Sequence, residues 1–214
     1  MAGPEGSGAT KAKGPIMSEL TTAEAQRDLP AMQADLVDLL QLEFDALPVY
    51  ALAIARLRRP EFRETLRLFR TDHERHVQDL SAEMRRLGGI PLPIPHLPTG
   101  LLKLGVQLAG LGGDDRTILL AFVSNEWQSQ EKYARYAALP YPPDVASLLQ
   151  RHARDEARHF AWACGALQEL GCGTDTPVGR MVQAFARFHG TTADVVEAAG
   201  HAALEAMARV SRPA

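Results

Sequence analysis

Arg151-His152-Ala153-Arg154-Asp155-Glu156-Ala157-Arg158-His159 is the stretch that decides the fold. It contains Glu-x-x-His, with another histidine four residues before the glutamate. On a helix, positions i, i+4 and i+7 share one face, so His152, Glu156 and His159 project together. A carboxylate and an imidazole three apart form half of a ligand set with which four-helix bundles hold two metal ions.

Glu-x-x-His is common by chance, and its weight here comes from an echo. Asp72-His73-Glu74-Arg75-His76 aligns with Asp155-Glu156-Ala157-Arg158-His159 at an offset of 83 residues. The same offset carries Glu43 to Glu126 and Tyr50 to Tyr133. The chain thus reads twice as Glu, then Tyr at +7, then Glu or His at +30, then His at +33. This is an internal duplication of a helix pair; two copies do not make a solenoid.

The hydrophobic seams give four helices. The first, over roughly 30–59, has the seam Leu36, Leu39/Leu40, Glu43, Leu47, Tyr50, Ile54 and Leu57. A lone carboxylate on such a stripe costs several kcal/mol unless it is paired or ligating. Pro48 cannot donate to the Phe44 carbonyl, so a kink or bulge is expected one turn from Glu43. The second helix, roughly 60–87, opens on Pro60, stops at Gly88-Gly89 and turns Phe62, Leu66, Phe69, His73, His76, Leu80 and Leu87 inward. Asp72, Glu74 and Arg75 flank that stripe. The third, roughly 115–139, carries Leu119, Phe122, Glu126, Tyr133 and Ala137. The fourth, roughly 143–170, carries Val145, Leu149, His152, Glu156, His159, Ala163, Ala166 and Leu170, and closes at Gly171. The polar seam residues fall near the middle of all four helices and would meet at one level.

The remaining segments fit around this unit. Residues 1–17, rich in Gly, Ala, Pro and Lys, are expected to be disordered. Thr21-Thr22-Ala23-Glu24 reads as a capping box for a lead-in helix, so the bundle unit is placed at 18–173. Residues 88–113 form a long connector. Its prolines 91, 93, 95 and 98 favour extended chain, and Leu101 to Leu111 is a Gly-punctuated helix candidate. About 25 residues suffice to recross a bundle ~40 Å long. The apolar part is expected to cover the bundle rather than touch a membrane surface. Residues 174–214 lie beyond the duplication and are expected to form short capping or interface helices. The fold class is all-α: two helix hairpins joined by a long crossover, with extra C-terminal helices.

Composition bounds function. The 214 residues are 46% apolar and 23% charged, as in an ordinary globular chain. A net charge of −3 and a pI near 6.2 give no reason to expect a nucleic-acid partner. Cys164 and Cys172, eight residues apart on a helix, would sit ~12 Å from each other, beyond the ~7 Å limit for a disulfide. They read as reduced thiols of a cytoplasmic protein. No apolar run approaches the ~20 residues of a membrane span.

Glu43, His73, His76, Glu126, Glu156 and His159 are the candidate metal ligands, with His152 a seventh. Imidazole and carboxylate donors suit iron or manganese, and zinc competes. Glu43, with Glu126 or Glu156, is the natural bridging carboxylate between two ions. Tyr50 and Tyr133 read either as core residues or as donors behind the ligands. Trp127 and Trp162 read as wall packing, Cys164 as inert, and His96, His189 and His201 as ordinary loop or surface residues.

On Glu43, Glu126 and Glu156 with His159, the chain resembles the ferritin-like superfamily of dimetal carboxylate proteins, over roughly residues 30–171. That motif is Glu…Glu-x-x-His, twice. The chain departs from it at His73, where the family has Glu, so a neutral donor replaces an anionic one. His152-x-x-x-Glu156-x-x-His159 is similar to the motif of the p-aminobenzoate N-oxygenase group, whose extra histidine ligates iron. The Glu-to-Tyr spacing and the Gly-rich connector resemble demethoxyubiquinone hydroxylase more weakly. Ferritin-like tRNA hydroxylases are a further comparison, but nothing basic supports a tRNA partner.

The resemblance implies an oxygen-dependent dimetal oxidoreductase with two iron ions that hydroxylates or N-oxygenates a small organic substrate. Its partners would be dioxygen, that substrate and an external electron donor, since no flavin or nicotinamide fingerprint is present. A homo-oligomer is expected. The competing expectations are a ferroxidase or iron-handling protein, and a non-catalytic module whose site is degenerate at His73.

Overall fold

A computed structural model describes residues 27–96 and 113–173, together with Thr176, Pro177, Arg180 and Ala184. Among the described residues there are four α-helices and no strands: α1 Leu29–Arg56, α2 Pro60–Arg86, α3 Asp115–Ala137 and α4 Pro143–Glu169. Residues 1–26, the connector helix candidate at 101–111, His189, His201 and nearly all of 174–214 lie outside the described residues.

Local chemistry sets the helix ends. Asp28 caps α1 by accepting from Ala31 N at 3.0 Å, and Asp114 caps α3 by accepting from Thr117 N at 3.2 Å. Helix α1 stops at Arg56, three residues before the expected end. Asp115 takes the backbone N–H groups of Arg58 at 2.6 Å and Arg59 at 2.9 Å, and Pro60 then opens α2. Gly88 and Gly171, at φ 76° and 74°, let the chain turn left-handed out of α2 and α4. Pro48 is exposed, and α1 runs on through it to Arg56 without ending.

Each helix packs against two others, closing a ring in the order α1–α2–α4–α3. Gln33, early in α1, donates to the Leu87 carbonyl just past α2 at 2.8 Å, so these two helices are antiparallel. Asp115, at the start of α3, holds the end of α1. The chain therefore leaves α2 at one end of the ring and enters α3 at the other.

Two apolar plugs fill the ring. One joins Leu36, Leu39, Leu40, Leu80, Tyr133 and Leu149. The other joins Tyr50, Leu57, Phe62, Leu66, Phe122 and Ala163. Each fully buried leucine contributes roughly 1.5–3 kcal/mol, so stability comes from the plugs. On every helix the metal-ligand candidates fall between them. Leu47, Ala137 and Leu170, expected on the seam, are only half-buried, whereas Met84, Lys132 and Tyr136 are buried.

His96 corrects an expectation. Lying off every helix seam, it is expected in a loop or on the surface; it is in a loop, yet only 6% exposed. Its backbone N–H donates to Asp45 Oδ1 at 3.0 Å, and its Nδ1 and Nε2 meet Asp45 Oδ2 at 2.9 Å and Asp38 Oδ1 at 2.8 Å. Lys132 Nζ lies 3.1 Å from Asp38 Oδ2, and Tyr136 donates to the same oxygen at 2.7 Å. Two α1 carboxylates flank the ring, so it enters the protein with its polar atoms satisfied.

Candidate metal centre

The six ligand candidates meet between the plugs. Glu43 comes from α1, His73 and His76 from α2, Glu126 from α3, and Glu156 and His159 from α4. None is more than 2% exposed. They form two overlapping quartets, Glu43–His73–His76–Glu156 and His73–Glu126–Glu156–His159, whose ligand atoms lie within 4.8 Å of one another. His73 and Glu156 belong to both.

Hydrogen bonding leaves this centre unsatisfied. Both Glu156 oxygens, Glu126 Oε2, His73 Nε2 and His159 Nδ1 are buried without a hydrogen-bond partner. Buried polar atoms are almost always paired, so five orphans in one cluster fit a set of metal donors better than a structural polar core. Glu156, with both oxygens orphaned, is the carboxylate common to both quartets. Glu43 is held differently: His73 Nδ1 lies 2.6 Å from its Oε2, His76 Nδ1 lies 3.2 Å from its Oε1, and Tyr133 donates to Oε1.

Charge explains the protonation of these residues. Burial opposes a charge on His73, but the Glu156 and Glu43 carboxylates outweigh it and push the ring up to about 9. At His76 burial is likewise outweighed, by Glu43 and Asp155, and the ring rises to about 11. Burial and then the Glu156 charge push Glu126 up to about 8. Burial alone would raise Glu43, yet His76 and His73 hold it well below the usual carboxylate range. A divalent ion would take over the work of those protons.

The duplication appears in space as reciprocal support. Asp72 Oδ2 lies 3.1 Å from His159 Nε2, and Asp155 Oδ2 lies 3.3 Å from His76 Nε2. Each copy's aspartate thus holds the other copy's histidine. With Asp72 accepting from Nε2–H, the orphaned His159 Nδ1 presents its lone pair to the cluster. Burial brings the His159 ring down to about 4, which keeps it neutral. Arg75 Nη2 donates to Asp72 Oδ1 and Asp155 Oδ2, both at 2.8 Å, and Arg158 Nη2 donates to Asp72 Oδ2 at 2.6 Å. The tyrosines break the symmetry: Tyr133 donates to Glu43, whereas the Tyr50 hydroxyl, pushed far above its ordinary range by burial and then by the Glu126 charge, is buried without a hydrogen-bond partner.

His152 belongs to neither quartet. Its ring stacks on His76 at 3.9 Å, and its Nε2 lies 3.2 Å from Asp79 Oδ2. At the duplicated position, Phe69 packs on His159 at 4.2 Å. His152 therefore occupies the wall place that Phe69 fills in the other half, and burial and the neighbouring His76 lower it to about 4. Trp162 packs edge-on against Phe62 and Phe69, and Trp127 against Phe160. Cys164 and Cys172 are free thiols.

No known protein family matches this chain, and no curated protein does. The four-helix fold and its buried Glu/His cluster are compatible with a ferritin-like site, and they rest on geometry alone. Among the described residues, no helix is long and apolar enough to cross a membrane. Asp72, Asp79 and Asp155 hold these rings from positions that flank the apolar seams, where helical periodicity alone does not single them out. The offset that pairs Asp72 with Asp155 would have flagged two of them.

Proposed function

We propose that this chain is a ferritin-like dimetal oxidoreductase that uses dioxygen to hydroxylate or N-oxygenate a small organic substrate. The observation that carries the reading is the pair of overlapping quartets sharing Glu156 and His73. Helices leaving α2 at one end and entering α3 at the other support the ferritin-like crossover.

Glu43 and His76 would hold one ion and Glu126 and His159 the other, with Glu156 shared and His73 a terminal donor to one of them. A redox-active pair such as iron would supply the electrons and open coordination positions that dioxygen chemistry needs. The protein's own contribution is positional. Asp72 and Asp155 fix the rings of His159 and His76, Tyr133 steadies Glu43, and the apolar plugs keep bulk water away. One oxygen atom enters the substrate and the other leaves as water, with two electrons from an external donor and two protons. The His76–Asp155 pair connects the centre to the surface, since Asp155 is partly exposed and can exchange protons.

Substrate-dependent oxygen uptake by the iron-loaded protein tests the reading, with amines and aromatic acids as the first screen. A ferroxidase reading has its own support, a small pocket whose lining includes Glu126. It requires ferrous oxidation without organic substrate and retention of many irons per chain.

A further inference from the structure

Between α1 and α3 a pocket of about 270 Å³, counting its open mouth, reaches the metal-ligand cluster. Its interior has room for about one water molecule, too little for an organic molecule. Tyr50 and Glu126 form the buried end, and Asp45, Asn125, Gln128 and Ser129 supply the polar lining. No Lys, Arg or His lines it. Asp45 is engaged, accepting from the His96 backbone and facing its ring. Among the other lining acceptors, Asn125 Oδ1 and Glu126 Oε2 are buried without a hydrogen-bond partner.

Leu42, Ala46 and Val49 complete a mixed lining, but these two orphaned acceptors suit a hard cation, whose hydration water those oxygens can replace. We propose that this pocket is the way in for a divalent cation, which sheds water against Asn125 and Glu126 before it reaches the His73–Glu126–Glu156–His159 quartet. The inference rests on the metal reading above and adds to it a route, assigned to residues that are not ligands.

The test is the rate at which metal-free protein takes up Co²⁺, followed by its visible absorption in a stopped-flow instrument. Ala46, half-buried in the pocket wall, is replaced by Phe. Filling a pocket with room for only about one water molecule should slow uptake roughly tenfold or more, with an unchanged final cobalt-to-protein ratio. Asn125→Asp, nearly isosteric, keeps the test sound if the larger side chain disturbs folding. It should speed uptake and steepen its dependence on salt, because a second charge joins the path. Wild-type rates in a folded A46F, or an unchanged rate and salt dependence in N125D, overturn the route while leaving the metal centre standing. A wild-type protein that takes up no cobalt overturns both.

Discussion

Glu156 belongs to both quartets and Glu126 to one, so replacing each by glutamine should give unequal losses. Glutamine keeps the shape of Glu156 but removes its charge and one of its two acceptor oxygens. In the metal-free protein the cost is small. Glu156 has no hydrogen bond to lose, and its charge presses on Glu126 as well as attracting His76 at 3.4 Å and His73 at 3.7 Å. In the loaded protein the cost is large. With Mn²⁺ at a hundred times its dissociation constant, binding at one site stabilises by ~2.7 kcal/mol. For a chain of this size, at ~2–4 °C per kcal/mol, that is a Tm rise of ~5–11 °C. A hundredfold loss of affinity at the same Mn²⁺ leaves ~0.4 kcal/mol, or ~1 °C. Scanning calorimetry with and without Mn²⁺, together with elemental analysis, should therefore show Glu156→Gln losing nearly the whole metal-induced shift at both sites. Glu126→Gln should keep the contribution of the Glu43–His76 site. Equal losses in the two variants, or a Glu156→Gln protein that still holds two ions, would refute the sharing.

Other outcomes follow from the same contacts. Tyr133→Phe removes a buried donor to the Glu43 carboxylate, and urea denaturation should show a loss of about 1.5–3 kcal/mol. Lys132→Met strips a buried cation from Asp38 and should cost about 3–5 kcal/mol, while adding Asp38→Asn should recover part of it. Acid should act through Asp38. Burial would raise its carboxyl, but the His96 hydrogen bond and the Lys132 charge hold it well below the ordinary range. Its folded value lies below the unfolded one, so its contribution is complete above about pH 4 and is lost as pH falls further. Unfolding free energy measured from pH 5 to pH 2.5 should drop for the wild type and drop less steeply for Asp38→Asn.

The parts of the fold readable from sequence were those repeated in it. Apolar positions at helical spacing located all four helices, because burial on one face leaves a period that no other force imposes. The duplication drew Glu43, His73, His76, Glu126, Glu156 and His159 to one level, where the structure also brings them. The Asp38–Asp45–His96–Lys132 network has no duplicated counterpart: the positions 83 after Asp38 and Asp45 are Ala121 and Gln128, and the position 83 before Lys132 is Val49. These residues sit off the seam, and they are paired across α1, α3 and the arm carrying His96, a tertiary event that helical periodicity does not encode. His152 illustrates the reverse case. Its spacing places it on the ligand face, yet its ring is taken up by stacking on His76 and by Asp79.

The central claim is a two-ion centre in the middle of the helical ring. Metal-free protein reconstituted anaerobically with ferrous iron, desalted and assayed for iron per chain tests it most directly. The account predicts two irons per chain and an absorbance change when oxygen is admitted. No retained iron in a protein whose helical fold is intact would contradict it.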